Sequence, residues 1–387
     1  MKDDRRRLQL PAILVAGAAI SMAGGLISPV LPEVKEQLAI PPEVAGTVVS
    51  AHALTIALFV PLFGILADRL GPVRILLPAI ALFSLSGAAG SLAGNFEFLL
   101  ATRVLVGIGC AGISAATLGL VGKLYEGPAR TQVIGYATAT LTSTGIVFPL
   151  LGGLTGLVSW RLTFGLYLLL LPAIALAAAA FLGYKPSAST HPEEEFDLGL
   201  TKVLGRLPVI RALLGLSLTS AIMTSVVIYT PLYLQDTFDV DTFFNGLVLM
   251  LRALGAAIVS ALATKTLAIR IGKPFSMALG YSLMAIALTS LPWLPQVPLI
   301  MLAAVVFGGG FGLTLPNLYG ILADLSPKKF RSTMLGIGSG TGFLGQFLSP
   351  VVLGPVLDWG GHESVFYTAA GAAVFAALLA IVPLGDG

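Results

Sequence analysis

Long apolar stretches dominate the chain and recur twelve times along it. Each is long enough to cross the roughly 30 Å hydrocarbon layer of a membrane as a helix of about 20 residues. Backbone groups in lipid must be satisfied internally, and these continuous runs lack the alternation of barrel strands. The pattern predicts an all-α polytopic membrane protein with twelve transmembrane helices. The runs lie near 8–32, 43–67, 73–94, 98–122, 132–158, 161–183, 208–235, 244–264, 274–294, 297–323, 332–357 and 364–384.

Composition and charge placement agree with this interpretation. Hydrophobic residues make up 56% of the chain and charged residues only 11%. Of the 22 lysines and arginines, all but Lys35, Arg161, Arg103 and Arg252 fall in the N-terminal segment and the even-numbered loops. Positive loops stay in the cytoplasm, so we expect both termini to be cytoplasmic. The expected location is the inner membrane of a prokaryote. The net charge of +3 therefore reflects topology and needs no nucleic-acid partner.

The chain divides into two similar halves. Six apolar runs precede the polar stretch 184–206 and six follow it, which predicts bundles at 1–183 and 207–387 joined by a cytoplasmic linker. Matching residues recur at one spacing, 201 positions apart, which indicates an internal duplication. Parallel six-span repeats of this kind are typical of one common transporter architecture. The matched pairs are Arg69 and Arg270, Gly71 and Gly272, Gly107 and Gly308, Gly109 and Gly310, Arg130 and Arg331, Gly135 and Gly336, Pro149 and Pro350, and Gly153 and Gly354.

Four motifs resemble those of a known family. GILADRLGPVR (64–74), RVLVGIGCAG (103–112) and GGLISPVLP (24–32) are similar to loop and span signatures of the major facilitator superfamily, and most to its drug:proton antiporter branch. GIVFPLLGG (145–153) resembles the fifth-span antiporter signature, with Phe148 where that branch usually has glycine. The resemblance covers nearly the whole chain. It implies two pseudo-symmetric six-helix bundles that work by alternating access, the major facilitator fold.

The loop motif at 64–74 combines a turn with charges. Gly71 suits a tight turn whose backbone angles side chains disfavour. The resemblance implies that Asp68 latches the two halves near Arg331, whereas positive-inside sorting alone explains Arg69 and Arg74 equally well. Gly64 completes the motif, and in its second copy Ile269 stands in place of the acid, so only the first half carries the full latch.

Three ionisable residues lie inside the predicted spans, where such groups are costly and usually functional. His52 is the only one that titrates near neutral pH, which makes it a candidate for proton coupling. Arg103 matches the family arginine implicated in proton transfer. Arg252 has no motif behind it and would attract an anionic substrate or repel a cationic one. His52 and Arg103 each have an ordinary alternative role as a hydrogen-bonded helix contact.

Uncharged polar residues and a helix-bending proline complete the candidate site. No Asp or Glu lies in the middle of a span, so neutral or anionic substrates fit better than cationic ones. Interhelical hydrogen bonding is an equally good explanation for the polar residues. The candidates for lining the transport path are Thr144, Pro149, Tyr229, Asn317 and Gln346.

These features favour a secondary active transporter that exports small amphipathic molecules or drugs in exchange for protons, acting as a monomer. The alternative is uptake or exchange of a small organic anion, clamped by Arg103 and Arg252. We expect no enzymatic activity, cofactor or metal, because no metal-ligand cluster, nucleophile motif or phosphate loop occurs in the sequence. The single cysteine, Cys110, reads as a small packing residue.

Overall fold

A computed structural model describes residues 2–181, 198–327 and 330–382. Within these residues it contains helices and turns without a strand, and eleven helical segments are long and apolar enough to span a membrane. Spans 1 to 10 are Arg7–Gln37, Pro42–Leu70, Pro72–Leu92, Phe96–Leu124, Gln132–Gly156, Trp160–Ala180, Leu207–Phe238, Thr242–Leu262, Lys273–Trp293 and Val297–Leu325, and spans 11 and 12 lie within Thr333–Ile381.

The eleventh segment consists of two helices. Gly361 has φ 68° and ψ −171°, a conformation outside the helical region, and separates span 11 from span 12. The count is therefore twelve spans, and the prediction of an all-α membrane protein with twelve transmembrane helices is confirmed. Two shorter helices, Leu198–Leu204 and Thr264–Arg270, lie outside the spans. The first of them falls within the predicted linker, whose residues 184–197 lie outside the described residues.

Span 1 is interrupted before its C-terminal third. Its main helix, Lys2–Gly25, gives way to a short 3₁₀ helix, Ser28–Val30, and resumes as Leu31–Gln37. The Ile27 amide donates to Gly24 O at 3.2 Å instead of to the carbonyl four residues back. Proline at positions 29 and 32 lacks a backbone donor, which accounts for the interruption.

The chain forms two compact units. Unit 1 comprises Met1–Ile40, Thr47–Thr190 and Asp241–Gly246, and unit 2 comprises Pro41–Gly46, His191–Val240 and Leu247–Gly387. Their internal packing repeats. In unit 1 a side chain at Gly109 would collide with the backbone of Phe83, and in unit 2 one at Gly310 would collide with Met284. Both pairs are related by the spacing of 201 residues.

Candidate transport cavity and buried charges

Unit 2 contains a cavity of about 100 Å³ between spans 7, 10 and 11. Span 10 contributes residues at 311, 315 and 319, four positions apart, which therefore lie on one helix face. The full lining is Ser220, Met223, Phe311, Leu315, Tyr319, Ser339, Gly342, Phe343 and Gln346. None of these lining residues is charged.

The cavity combines aromatic surface with a small number of polar groups. Phe311, Phe343 and Tyr319 present rings, and Met223 adds a polarisable, adaptable thioether. Tyr319 and Ser339 add hydroxyl groups to the lining. In the described part of the chain, the carboxamide of Gln346 makes no hydrogen bond, so it is available to a ligand. This is the composition expected of a small-molecule site.

A glycine keeps one wall of the cavity open. A Cβ atom placed on Gly342 would lie 3.1 Å from the Ser220 hydroxyl oxygen. Any larger residue at 342 would therefore reduce the space between spans 7 and 11.

Arg103 is completely buried in unit 1 and is held by neighbouring spans. Its Nη2 donates to Ala23 O at 2.7 Å and to the Tyr167 hydroxyl at 3.0 Å. The guanidinium carbon lies 5.4 Å from the Tyr167 ring centre and 5.8 Å from that of Phe164. Nε and Nη1 have no partner among the described residues.

The interruption of span 1 explains what Arg103 binds. Because the Ile27 amide turns to Gly24, the Ala23 carbonyl has no helical donor. Arg103 and the Tyr167 hydroxyl, at 3.0 Å, both donate to it. Buried carbonyls need such partners. Arg103 therefore stabilises the interrupted helix.

His52 lies against the same segment of span 1. A Cβ on Gly24 would be 3.5 Å from His52 Cε1, and the ring nitrogen Nδ1 is buried without a partner in the described residues. His52 is 5% exposed. The structure thus brings His52 and Arg103 together at the interruption, with His52 beside Gly24 and Arg103 bonded to Ala23 O.

His52 and Arg252 are structurally equivalent in the two units. A side chain at Gly107 would collide with the carbonyl of His52, and one at Gly308 would collide with the carbonyl of Arg252. The two glycines are 201 residues apart, but the residues facing them are 200 apart. Corresponding residues of spans 2 and 8 are therefore 200 positions apart at this point, one fewer than the repeat spacing of 201. A titratable base in unit 1 corresponds to a permanent cation in unit 2.

Arg252 differs from Arg103 in having no partner. It is 7% exposed, its Nε is buried and unpaired, and it makes no hydrogen bond or ion pair within the described part of the chain. Sequence reasoning grouped the two arginines as one clamp, but the structure engages Arg103 and leaves Arg252 free.

The loop motif and its copy share their turn. Gly71 and Gly272 immediately precede the helices of spans 3 and 9 with φ of 94° and 83°. Asp68 lies 3.6 Å from Lys123, and Asp324 lies 2.5 Å from Lys273. Lys123 and Asp324 are 201 residues apart and so correspond, but their partners do not, because Ile269 corresponds to Asp68 and Pro72 to Lys273. Sequence reasoning missed both pairs.

The remaining motif residues lie at the surface of their units. Arg69 and Arg74 are exposed, and Gly64 lies in the helix of span 2 with open space beside it. The Arg331 Nε donates to Ala323 O at 3.0 Å.

Of the predicted path-lining residues, Gln346 lies at the cavity and the other four lie elsewhere. Thr144 shares a hydrogen bond of 2.5 Å with Ser21, and Asn317 donates to Ser276 Oγ at 3.1 Å. Tyr229 is 1% exposed within span 7.

Pro149 packs on Gly25, whose added Cβ would lie 3.6 Å from the proline ring and 3.4 Å from Phe148. The glycine that packs against Phe148 is therefore Gly25 of span 1. The aromatic lining was missed, although the spacing of 311, 315 and 319 could have revealed it.

Comparisons with known proteins agree on one family. The model of the Major Facilitator Superfamily matches residues 13–294 and 244–386. The bacillibactin exporter of Bacillus subtilis (strain 168) is 22% identical over 355 residues, covering 88% of this chain and 87% of that protein. The quinolone resistance protein NorA of Staphylococcus aureus (strain COL) is 25% identical over 366 residues, covering 92% of each. The crystal structure of a D-xylose-proton symporter superposes with a TM-score of 0.75 at 16% identity, covering 96% of each chain.

Proposed function

The chain belongs to the major facilitator superfamily, and we propose that it is a proton-driven exporter of small amphipathic molecules working by alternating access. It is a multi-pass membrane transporter and not an enzyme. The proposal concerns the direction of transport, the coupling ion and the substrate class.

The cavity of unit 2 is the observation that carries the substrate class. Aromatic rings and a thioether offer apolar contact of adaptable shape, and such surfaces bind a range of ligands. Gln346 and Ser220 add hydrogen-bonding groups without charge. A molecule with an apolar body and a few polar atoms fits this lining.

Export is supported by the relatives. One is named as an exporter and the other as a resistance protein, and each is matched over most of its length. The D-xylose-proton symporter shares the fold but works as a symporter by its name, so the fold by itself is compatible with either direction.

Proton coupling is assigned to His52. It is the histidine in the middle of a described span, and it lies beside the interruption of span 1 that Arg103 stabilises. Taking up or releasing a proton there would change the charge next to a helix segment that is already irregular. Arg103 acts as a positioning residue in this scheme.

The loop motif belongs to the same proposal. Asp68 would leave Lys123 in a different conformational state and act with Arg331 as the latch, while Gly64, Gly71, Arg69 and Arg74 shape and hold the loop. The protein acts as a monomer in the inner membrane of a prokaryote, with both termini in the cytoplasm, as the distribution of positive residues indicates.

The test is a transport assay in liposomes that contain a pH-sensitive dye. Cationic, neutral and anionic aromatic compounds are added to wild type, His52→Ala and the control His362→Ala. The control removes a histidine at the N-terminal end of span 12. Substrate-triggered proton release in wild type and in the control, lost in His52→Ala, is expected. Proton movement that is unchanged in His52→Ala would remove His52 from the scheme. Compound transport without any proton movement would overturn proton coupling.

A second candidate function is uptake or exchange of a small organic anion. The unpaired Arg252 favours it, since a buried cation attracts an anionic ligand. Counterflow of a labelled anion that depends on Arg252, without proton movement, is the outcome that would select this function.

A further inference from the structure

Arg252 is a buried charge without compensation. It lies near the middle of the helix Thr242–Leu262 and is 7% exposed. A charge in the interior of a membrane protein normally pairs with an opposite charge or with backbone carbonyls. Arg103 follows that rule through Ala23 O and Tyr167, but Arg252 has no such partner in the described part of the chain. An arginine left unpaired at this depth is suited to an external anion.

Among the described residues of unit 2, no carboxylate pairs with Arg252. The acidic residues of its described spans lie towards the span ends, where Asp236 contacts His362 at 2.9 Å and Asp324 contacts Lys273. The cavity lining likewise carries no negative group. An anion from outside the chain would supply the counter-charge.

The position of Arg252 relates it to the cavity through span 10. Span 8 packs on span 10 where the Arg252 backbone meets Gly308 and the Ala256 backbone meets Gly312. Phe311 and Leu315, which line the cavity, lie on the adjacent stripe of the same helix. Gly308 precedes Phe311 by three residues, or about 4.5 Å along the helix axis. The Arg252 backbone therefore lies at a level about one helical turn beyond the Phe311 end of the cavity.

We propose that Arg252 binds the anionic head, of carboxylate type, of an amphipathic substrate whose aromatic body occupies the cavity between spans 7, 10 and 11. A guanidinium forms paired hydrogen bonds with a planar carboxylate, which an uncharged lining cannot offer. The distance from Gly308 to Tyr319 along span 10, about 17 Å, sets the length of head and body together. The inference rests on the proposed transport function and holds for either direction of transport.

The equivalent position in unit 1 supports a division of roles. There the residue is His52, which can lose its charge, whereas Arg252 stays charged at every physiological pH. A permanent cation is suited to hold an anion and a titratable base is suited to couple protons.

The experiment measures binding of a matched pair of fluorescent probes, 1-pyrenebutyrate and its uncharged primary amide, to the purified full chain. Wild type should prefer the acid by about tenfold or more. Arg252→Gln should bind both probes alike with the affinity for the amide retained, and Arg252→Lys should keep part of the preference. Arg206→Gln, which removes an exposed arginine of unit 2, serves as the control and should keep all of it.

Equal binding of acid and amide to wild type, or a preference unchanged in Arg252→Gln, would overturn the assignment. The wild-type ratio needs no variant, so poor folding of Arg252→Gln does not remove the test. Displacement of the acid by chloride or inorganic phosphate below about 1 mM would identify an inorganic-anion site and overturn it as well. Transport of both probes at equal rates would contradict this inference alone, whereas failure of wild type to bind or move either probe would count against the proposed function itself.

Discussion

Two arginines in the membrane interior illustrate how environment decides the role of a residue. Arg103 is fully buried and its Nη2 donates to the carbonyl freed by the interruption of span 1, while the Tyr167 ring faces the guanidinium. Arg252 is nearly as buried and lacks these partners. The same residue type is therefore structural in unit 1 and available to a ligand in unit 2.

Gly342 provides a residue-scale prediction for the cavity. Gly342→Ala places a methyl group 3.1 Å from the Ser220 hydroxyl, so we expect about a tenfold rise in KM for bulky substrates with little change in folding. Gly340→Ala, in the same helix with open space beside it, is the matched control. Transport kinetics in liposomes measure both. A KM that rises equally in the two variants would point to a general effect of alanine on span 11.

At the scale of elements, the backbone is irregular at the interruption of span 1 and at the turns that precede spans 3 and 9. The interruption of span 1 frees a carbonyl that Arg103 and Tyr167 bind, and Gly71 and Gly272 start spans 3 and 9 with positive φ. In each case the neighbouring residues stabilise the irregular backbone: two donors bind the freed carbonyl, and glycine adopts the positive φ.

Replacement of the turn glycine tests this at the element scale. Gly71→Ala forces a side chain into φ 94°, and we expect a loss of about 1–3 kcal/mol in the free energy of unfolding. Gly64→Ala, within the helix of span 2 with open space beside it, should be neutral or stabilising by up to about 1 kcal/mol. Thermal or denaturant unfolding in detergent measures both variants. Equal stability of the two proteins would show that the turn tolerates a side chain.

At the scale of the whole molecule, the duplication has diverged in charge while keeping its packing. Corresponding glycines meet corresponding backbones in the two units, yet His52 corresponds to Arg252 and Lys123 to Asp324. Close helix packing tolerates little change, because added atoms would collide with backbone. Charged positions are freer to change, and there the two halves carry different residues.

The latch gives the prediction at this scale. If Asp68, which is 59% exposed, served only its pair with Lys123, removing either partner would have a similar small effect, since pairs near the surface are worth about 0–1 kcal/mol. We expect Asp68→Asn to lower the transport rate about tenfold, equivalent to about 1.4 kcal/mol, and Lys123→Gln to lower it about twofold or less. Initial rates in liposomes, normalised to the amount of inserted protein, measure both. Matching losses would assign Asp68 to the local pair alone.

The sequence by itself determined the twelve spans, their pairing into two related halves and the turn at Gly71. These follow from local rules: apolar length sets a membrane helix, a repeat spacing reveals a duplication, and a positive φ favours glycine. Of the candidate site, it identified the three buried ionisable residues and Gln346. It could not distinguish an engaged arginine from a free one, because hydrogen-bond partners such as Ala23 and Tyr167 are distant along the chain. Tertiary packing settles which arginine has hydrogen-bond partners, and it also settles which faces of spans 7, 10 and 11 enclose the cavity. Both depend on how the helices are rotated about their axes against one another.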